Sequence, residues 1–451
     1  MVSSLKTAFF CNETGRALLR TFIAKGVSVF GALGLFVVIG QLYGPRGVGV
    51  YAMSQSILLG AGILSRRGMD NALIRFVGRD FESPQVRRYL YWAGLRSLWI
   101  SLPSLLVVVA LRDSIEQFFA MPGLSGVLLG IGFSIPFYTW SFLLAGFFKG
   151  IRKPATAALQ ENGAISLIAG ALILFFDFVG HAESLGLSML GWGYLVAAGL
   201  IAIQGQVLTL LWVRKQPSSN QSSELQSMDV AEFQQVSISF FVMGMAAFMQ
   251  SVLSIMIAGK FLGSVELGLF KSAQQIAVSV AFVLMVINAI YPPRFAALYH
   301  KGAQASLAKA ARSAALLGLV LSSPFLLVCL LVPEWILGLL GDDFDSAALL
   351  LRILALAQLV NVATGSVGFL LGMTGYERVM RNIALLCSGI GLLGFFVLTP
   401  WLGALGAALA LAFVLVAQNV AATVAVWIKL GIWTLPVPNF LVFLRVGARS
   451  N

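Results

Sequence analysis

The sequence predicts an all-α membrane protein with about twelve transmembrane helices in two related six-helix bundles. Of its 451 residues, 59% are hydrophobic and only 11% are charged, whereas soluble domains carry about 25% charged residues. Apolar runs of about 20 residues, the length that crosses a bilayer, recur along the whole chain. In addition, a stretch near the start returns as a recognisable copy 219 residues later. Together these observations predict a duplicated, polytopic helical protein.

The apolar runs contain prolines and glycines, which membrane helices tolerate. The first run, from Thr21 to Leu42, is a full span with no small-residue cleavage site after it. We therefore expect an uncleaved helix and not a signal peptide. The predicted spans are 20–42, 48–70, 91–111, 124–148, 157–179, 188–213, 234–259, 267–292, 307–332, 347–372, 379–400 and 403–428.

The two copies are Leu42–Ile57 and Phe261–Ile276, and they align without a gap. Such a repeat predicts two homologous halves. Because each half has an even number of spans, both halves have the same orientation, as in transporters built from parallel repeats. Each copy is interpreted as an outer hairpin at the head of its bundle, with glycines forming the turn. The matched pairs are Gly44 with Gly263, Gly49 with Gly268, Tyr51 with Phe270, Gln55 with Gln274, and Ile57 with Ile276.

A hydrophilic segment separates the sixth predicted span from the seventh. It contains Pro-Ser-Ser-Asn-Gln-Ser-Ser-Glu from Pro217 onward, a composition typical of a flexible tether. The repeat offset marks the same boundary. The predicted domains are an N-terminal six-helix bundle, 1–216, a cytoplasmic linker, 217–233, a C-terminal six-helix bundle, 234–430, and a cytoplasmic tail, 431–451.

The basic residues predict the orientation. With the N-terminus in the cytoplasm, 24 of the 30 lysines and arginines fall in cytoplasmic segments, as the positive-inside rule requires. Both termini are therefore predicted to be cytoplasmic. The formal charge of +12 indicates topology and contact with anionic membrane lipids, so no nucleic-acid partner is expected.

Signatures of enzymes are absent from the sequence. It has no HExxH, no Walker loop, no GxSxG, and no GxGxxG between a strand and a helix. The three cysteines are scattered and lack CxxC spacing, so they indicate neither a metal site nor a disulfide framework. We expect no enzyme activity, no metal and no cofactor.

Ionisable side chains inside the spans are the main functional candidates, because charge at membrane depth is costly. Lys25 lies about one turn into the first span and either lines a cavity or snorkels to the headgroups. Arg66, Arg67 and Asp70 end the second span. At the repeat offset they align with residues inside span eight. We therefore expect span two to continue as a helix, with Arg66 and Asp70 paired at i,i+4. These residues either line a cavity or anchor the helix at the membrane interface.

Three more ionisable residues fall inside spans. Lys271 and Arg352 lie several residues in from the outer side, where basic residues are otherwise rare. They either face a polar interior cavity or snorkel outward. Glu161, near the inner end of span five, either pairs with a cation or titrates. Gln55 and Gln274 sit at matched depths, where polar contact between helices is the common role.

Several segments, taken in order, resemble the polysaccharide transporter family. These are the Wzx-type flippases for lipid-linked O-antigen and exopolysaccharide units, within the multidrug/oligosaccharidyl-lipid/polysaccharide (MOP) superfamily. Each motif alone is loose, but their order and spacing are specific, and the resemblance covers essentially the whole chain. The segments are Gly44–Tyr51, Gly68–Phe76, Pro293–Phe295, Val332–Phe344, Gly372–Arg378 and Gly403–Ala408.

The resemblance implies a V-shaped, MATE-like fold in the bacterial inner membrane. It also implies a substrate, undecaprenyl diphosphate carrying a short oligosaccharide, that is moved from the inner to the outer leaflet by alternating access. The product would enter O-antigen (lipopolysaccharide) or exopolysaccharide synthesis. By analogy, a polysaccharide polymerase and a chain-length regulator are expected partners, and an H⁺ or Na⁺ gradient is the expected driving force.

A diphosphate would need a cationic cavity. This requirement assigns roles to the ionisable candidates and predicts that Lys271→Ala and Arg352→Ala abolish export without impairing membrane insertion. The substrate-binding candidates are Lys25, Arg66, Arg67, Lys271 and Arg352, and the candidates for coupling or charge tuning are Asp70 and Glu161.

Three alternatives remain open at this point. A multidrug exporter of cationic compounds would need an acid-dominated cavity, whereas the interior candidates here are net basic. A lipid II flippase usually has additional spans. A membrane glycan polymerase or ligase would need large outer loops with catalytic residues, whereas the predicted outer loops are short.

Overall fold

The computed structural model describes residues 13–79, 85–180, 186–214 and 230–435. Regular structure in these ranges is helical, with no strand among them. Residues 217–229 of the predicted linker and residues 436–451 of the predicted tail lie outside the described ranges. The all-α prediction is therefore confirmed for the part of the chain that the structure describes.

The chain groups into two compact units. The first falls within Met1–Gly268. Its helices are α1 (Glu13–Arg66), α2 (Met69–Arg79), α3 (Gln85–Ala110), α4 (Arg112–Phe119), α5 (Leu124–Gly150), α6 (Pro154–Ala158), α7 (Asn162–Phe178), α8 (Ser188–Arg214), α9 (Val230–Phe248) and α10 (Ser254–Phe261), with a π-helical turn, Met249–Leu253, between the last two.

The second unit falls within Leu269–Asn451. Helix α11 leads into it from the first unit. The remaining helices are α11 (Ser264–Val280), α12 (Phe282–His300), α13 (Gln304–Leu331), α14 (Pro333–Gly338), α15 (Ala348–Thr364), α16 (Val367–Met373), α17 (Glu377–Leu402) and α18 (Ala404–Leu430), with a 3₁₀ turn, Asp342–Ala347, before α15.

Every predicted span falls mostly on helix, and the spans 48–70, 157–179 and 347–372 each contain a short non-helical break. Among the described residues, eight helices are long and apolar enough to cross a membrane, or nine if the bent pair Ser264–Val280 and Phe282–Asn288 is one span. One of the eight, Ile23–Arg66, covers most of the first two predicted spans, 20–42 and 48–70. The predicted spans at 157–179 and 234–259 correspond to the shorter α7 and to the segmented α9–α10. The chain is thus a multi-pass membrane protein.

The predicted turn between the first two spans lies inside α1. Gly44 leaves helical geometry there, with φ 61° and ψ −166°, and Pro45 follows it. Glycine adopts this conformation without the steric cost that a Cβ imposes. Beside the break, the Arg46 guanidinium donates to the carbonyl oxygen of Pro122 over 3.0 Å. The rings of Phe36 and Tyr51, on either side of the break, lie 5.6 Å apart, so the chain folds back here. The first hairpin is therefore present, and Arg46 joins it to the segment that follows α4.

Helix α5 is the centre of the first unit. It packs against α1, α2, α3 and α8, and most of its length is buried. Among its fully buried residues, Tyr138, Phe147 and Phe148 supply bulk, while small residues between them let neighbouring helices approach closely. This mixture suits association in lipid, where packing takes over the role of hydrophobic burial.

Helix α9 follows the predicted linker and is anchored to the first unit. Phe233 is fully buried, and its ring stacks on Tyr89 at 5.3 Å between centroids and contacts Phe76 at 5.2 Å. Next to it, Glu232 accepts hydrogen bonds from Arg79 at 2.9 and 3.4 Å, and these bonds raise the pKa of the Arg79 guanidinium. The contacts of α9 therefore place this helix in the first compact unit. The repeat in the sequence, in contrast, predicts that the second bundle begins at residue 234. The repeat-based domains stay a prediction.

The prediction that span two continues as a helix is wrong. Helix α1 ends at Arg66, and Arg67 and Gly68 both adopt left-handed conformations, with φ 45° and 76°. Two successive left-handed residues end one helix and redirect the chain into α2. The second copy breaks as well, between α11 and α12, with a bend of 46°. The copies therefore share a break but place it at different positions, which the gap-free alignment could not reveal.

The two repeat copies touch each other at matched positions. A Cβ added to Gly49 would collide with the carbonyl of Ser264 and lie 3.0 Å from the Gly268 nitrogen. A Cβ on Gly268 would collide with the carbonyl of Pro45 and lie 3.0 Å from the Gly49 nitrogen. The contact is therefore backbone to backbone and reciprocal. It explains why both copies have glycine at this position.

The second unit has its own core. Helix α18 packs against α15, α16 and α17, and α13 packs against α12 and α15. Phe295, Leu307 and Val426 are almost fully buried in the cluster that joins these helices. Cys329 and Cys387 are free and buried, and Cys11 lies outside the described residues.

We expect Gly49→Ala and Gly268→Ala each to destabilise the protein by about 1–3 kcal/mol or more, because the added methyl group meets backbone that cannot rotate away. Thermal unfolding of the detergent-solubilised protein, followed by the loss of the monodisperse peak in size-exclusion chromatography, measures the effect. Gly263→Ala is the matched control, since a Cβ there meets nothing within 4 Å. Equal melting temperatures for Gly49→Ala and Gly263→Ala would contradict the close crossing.

Candidate functional site

Glu161 binds two lysines from two other elements. Its Oε2 accepts from Lys25 Nζ on α1 at 3.1 Å, and its Oε1 accepts from Lys149 Nζ on α5 at 2.8 Å. The side chain of Glu161 is 22% exposed, and those of Lys25 and Lys149 are 36% and 39% exposed. One carboxylate therefore compensates two cations and ties α1 to α5. This arrangement brings together two sequence candidates, Lys25 and Glu161.

The local backbone explains why Glu161 is available. It precedes α7 in an extended conformation and its side chain caps no helix N–H. Between α5 and Glu161, the chain passes through Arg152, whose backbone is left-handed at φ 61°, and then through the short helix α6. This compact reversal returns Glu161 to the end of α5. The predicted fourth span ends at residue 148, just before Lys149, and the sequence did not connect this lysine with Glu161. The basic residue in the last turn of an apolar helix was the available signal.

Arg66 is almost fully buried at the end of α1. Its Nε lies 3.6 Å from the Asp70 carboxylate, so the predicted ion pair is confirmed although the helix breaks between the partners. Its guanidinium carbon lies 4.2 Å from the centre of the Phe142 ring and 5.7 Å from that of Tyr138. Cation–π contact of this kind stabilises a desolvated guanidinium. Among the described residues, Arg66 Nε and Nη1 have no hydrogen-bond partner.

Arg67 is separated from Arg66 by the chain reversal. It lines a cavity of about 120 Å³ together with Trp92 and Arg96 of α3 and Gln234 of α9. Neighbours in the sequence therefore contribute to different environments, one to a buried ion pair and one to an open pocket.

Polar side chains next to Glu161 in the sequence form hydrogen bonds between the helices of the first unit. The Gln55 amide donates to Asn162 Oδ1 at 2.9 Å, and the buried Tyr194 hydroxyl donates to the same oxygen. Gln160 donates to Gln204 Oε1 at 2.9 Å. The interpretation of Gln55 as a polar contact between helices is therefore confirmed. Such contacts hold helices together in lipid, where the alternative is an unsatisfied polar group.

In the second unit, Lys271 is half-buried on α11. Its Nζ donates to Gln274 Oε1 at 2.8 Å, one helical turn away. Gln274 is the repeat partner of Gln55, so the matched glutamines have different partners. Among the described residues, no carboxylate pairs with Lys271, and its charge is met only by a neutral amide.

Arg352 has a different environment. Its Nη2 lies 3.0 Å from Glu334 Oε1, and its Nε donates to the carbonyl of Leu330 at 3.2 Å, at the end of α13. Both side chains of the ion pair are more than 40% exposed. Exposed pairs of this kind contribute about 0–1 kcal/mol. Arg352 thus joins the end of α13 to α15 through a local contact.

The described side chains that form ion pairs on α1, α2, α5 and the segment before α7 are net basic, and of these Lys149 is exposed. Lys25, Lys149 and Arg66 face only Glu161 and Asp70. One positive charge is therefore not compensated by a carboxylate. An anion would bind at this group of side chains more readily than a cation. The chemistry that this arrangement supports is the binding of negatively charged groups, with no group placed for nucleophilic attack.

We expect Glu161→Gln to destabilise the protein by about 1 kcal/mol, because two lysines that are 36% and 39% exposed then face each other without the carboxylate that joins them. Lys149→Gln should have a smaller effect, since Lys25 remains paired. Thermal unfolding of the purified protein measures both, with the exposed acid Glu377→Gln as control. The reverse order, with Lys149→Gln the more damaging, would show that Glu161 does not join the two lysines.

Known proteins resemble this chain in sequence and in fold. The lipid III flippases of Escherichia coli K12 and Shigella flexneri are each 24% identical to it over 211 residues, which is 44% of this chain and 49% of theirs. The match thus spans about half the length of these curated relatives. A structure of the lipid II flippase MurJ in an inward closed conformation aligns with 90% of this chain and 86% of its own, at TM-score 0.70 and 12% identity.

A second structure belongs to the MATE multidrug transporter DinF-BH, and it aligns with 93% of this chain and 96% of its own, at TM-score 0.63 and 16% identity. These structures confirm a fold shared with MATE transporters and MurJ. A family model, described as polysaccharide biosynthesis protein, matches residues 17–299. Since this match covers more than half of the 451 residues, the chain belongs to the polysaccharide biosynthesis protein family, as its resemblance to the polysaccharide transporters predicted.

Proposed function

We propose that this protein is a flippase for undecaprenyl-diphosphate-linked oligosaccharide units in the bacterial inner membrane. The units would be exported for O-antigen or exopolysaccharide synthesis. Membership of the polysaccharide biosynthesis family supports the process. The names of the curated relatives, lipid III flippases, support a lipid-linked cargo.

The observation that carries the proposal is the excess of basic over acidic side chains in the ion pairs of the first unit, with the exposed Lys149 counted among them. A diphosphate brings negative charge that lipid does not solvate, so a carrier must supply cations along its path. Lys25, Lys149 and Arg66 outnumber the two carboxylates that face them. A multidrug exporter of cationic compounds would need the opposite excess, which disfavours that alternative.

The proposed cycle is alternating access, in which the two halves rock about a central site. The diphosphate would be neutralised by basic side chains while the prenyl tail stays in the bilayer. Asp70 and Glu161 are the proposed sites of coupling to an H⁺ or Na⁺ gradient, because each is a carboxylate shared with a cation. Both termini would be cytoplasmic. A polymerase and a chain-length regulator are the proposed partners.

A lipid II flippase is the second candidate, favoured by the similarity of fold to MurJ at TM-score 0.70. Both candidates move an undecaprenyl diphosphate and differ in the sugar attached. Lipid-linked glycan that accumulates in a deletion strain would distinguish them. O-antigen or exopolysaccharide repeat units would support the first candidate, and peptidoglycan precursor would support the second.

We expect Lys271→Met to reduce export at least tenfold, about 1.4 kcal/mol in activation free energy, because a half-buried cation without an acidic partner is removed. Polysaccharide at the surface of a complemented deletion strain, normalised to inserted protein, measures the effect. Lys309→Met is the matched control, since Lys309 is exposed on α13.

Arg352→Ala is also expected to abolish export, and Glu334→Gln tests the reason. If the ion pair with Glu334 matters only for local structure, both variants lose export and stability alike. If the positive charge itself acts on the substrate, only Arg352→Ala loses export. Normal export from both Lys271→Met and Arg352→Ala, at wild-type insertion, would refute the cationic-cavity proposal.

A further inference from the structure

The cavity beside the Arg67–Gly68 turn is formed by three parts of the first unit. Arg67 and Met69 come from the turn between α1 and α2, Trp92 and Arg96 from α3, and Gln234 with Ser237 and Ile238 from α9. We call it the Arg67 pocket. Its volume of about 120 Å³ is well below the ~300 Å³ at which sites for whole drug-sized ligands begin. A small ionic group fits it, and an oligosaccharide does not.

The backbone at Arg67 is held in an unfavourable conformation. Arginine rarely adopts φ near 45°, because its Cβ crowds the following carbonyl. The next residue, Gly68, allows α9 to lie against the turn, since a Cβ there would collide with the carbonyl of Ser237. Packing of α9 therefore fixes the turn and directs Arg67 to the pocket. Such backbone outliers concentrate at ligand sites and other functional positions.

The positive charge in the Arg67 pocket is not neutralised within the described part of the chain. No carboxylate there pairs with Arg67 or Arg96. The acids closest to the pocket on its own helices, Asp70 on α2 and Glu232 on α9, bind Arg66 and Arg79 instead. Arg96 lies over the Trp92 ring at 5.7 Å, which orients the guanidinium without cancelling its charge. Among the described residues, both guanidinium groups are therefore without an acidic partner and are placed to bind an anion.

The chemistry of the lining indicates a phosphate. Planar guanidinium groups bind phosphate oxygens through paired N–H donors, and the Gln234 amide adds another donor. The other lining side chains are apolar apart from Ser237, and Ile238 is 49% exposed. On α3, Tyr91 and Trp99 are 68% and 78% exposed, as is typical of aromatic side chains at a membrane interface. A ligand that is anionic at one end and apolar at the other matches this setting.

We propose that the Arg67 pocket binds the phosphate headgroup of an anionic membrane lipid through Arg67 and Arg96. Two lipids present this chemistry: the polyprenyl diphosphate carrier and an anionic phospholipid such as phosphatidylglycerol. Assigning the carrier as the source rests on the proposed function, whereas phosphate binding does not. With the carrier, the pocket would hold the substrate headgroup on the side where α1 ends. With a phospholipid, it would bind the protein to its leaflet.

The test uses full-length purified protein titrated with undecaprenyl diphosphate, phosphatidylglycerol or phosphatidylcholine, with bound lipid counted by native mass spectrometry. Arg67→Gly combined with Arg96→Gln is the test variant, because glycine accepts the left-handed backbone and preserves the turn. Arg152→Gly is the matched control, since Arg152 is also left-handed, at φ 61°, and does not line the pocket. It removes one arginine and one left-handed non-glycine residue, as Arg67→Gly does, so it is the control for that half of the double variant.

We expect wild-type protein and Arg152→Gly to prefer at least one anionic lipid over phosphatidylcholine, and the double variant to lose that preference at least tenfold. Tighter binding of the diphosphate identifies the carrier as the ligand, and equal binding of both anionic lipids identifies a general phosphate site. Unchanged binding in the double variant, or no preference over phosphatidylcholine in the wild type, overturns the proposal. Wild-type protein that binds through the pocket but exports no glycan would contradict the proposed function alone.

Discussion

The two ion pairs of the Glu161 carboxylate are the interaction that joins α1, α5 and the segment before α7 in the first unit. Each of its oxygens accepts from a lysine of a different helix, α1 or α5. In a medium that solvates ions poorly, an isolated carboxylate or ammonium costs several kcal/mol. The segment before α7 therefore cannot move away unless both lysines follow or a replacement ion arrives. A substrate anion or a proton would be such a replacement, so the same contact that holds the helices together is also sensitive to charge.

Hydropathy located the helices well because lipid requires every spanning segment to satisfy its own backbone. The spacing of Arg66 and Asp70 likewise predicted their ion pair. Lys149 and Glu161 were not connected, because the left-handed Arg152 and the short α6 lie between them and hydropathy does not encode such a reversal. The break at Arg67 was missed because the second copy was assumed to match it. Gly68, placed where glycine often ends a helix, was the local signal.

The position of α9 shows why a tether in the sequence need not mark the edge of a compact unit. Phe233 and Glu232, at the start of α9, contact the aromatic cluster and Arg79 of the first unit. Composition indicates where a chain is hydrophilic, whereas contacts decide which helices pack together. The helix just after the predicted linker consequently supplies part of the Arg67 pocket. No division made at the linker would have revealed that site.

The crossing of Gly49 and Gly268 has a consequence for how the chain can vary by mutation. Matched residues of two copies meet here, each against the backbone of the other. Reciprocal contact of equivalent residues is the geometry of a two-fold related interface. Between identical chains one mutation would change both sides of such a contact at once. Here both sides belong to one chain, so each position is encoded separately and one substitution changes one side alone. Either substitution is enough to push the two backbones apart, so the two positions are bound by the same requirement for glycine.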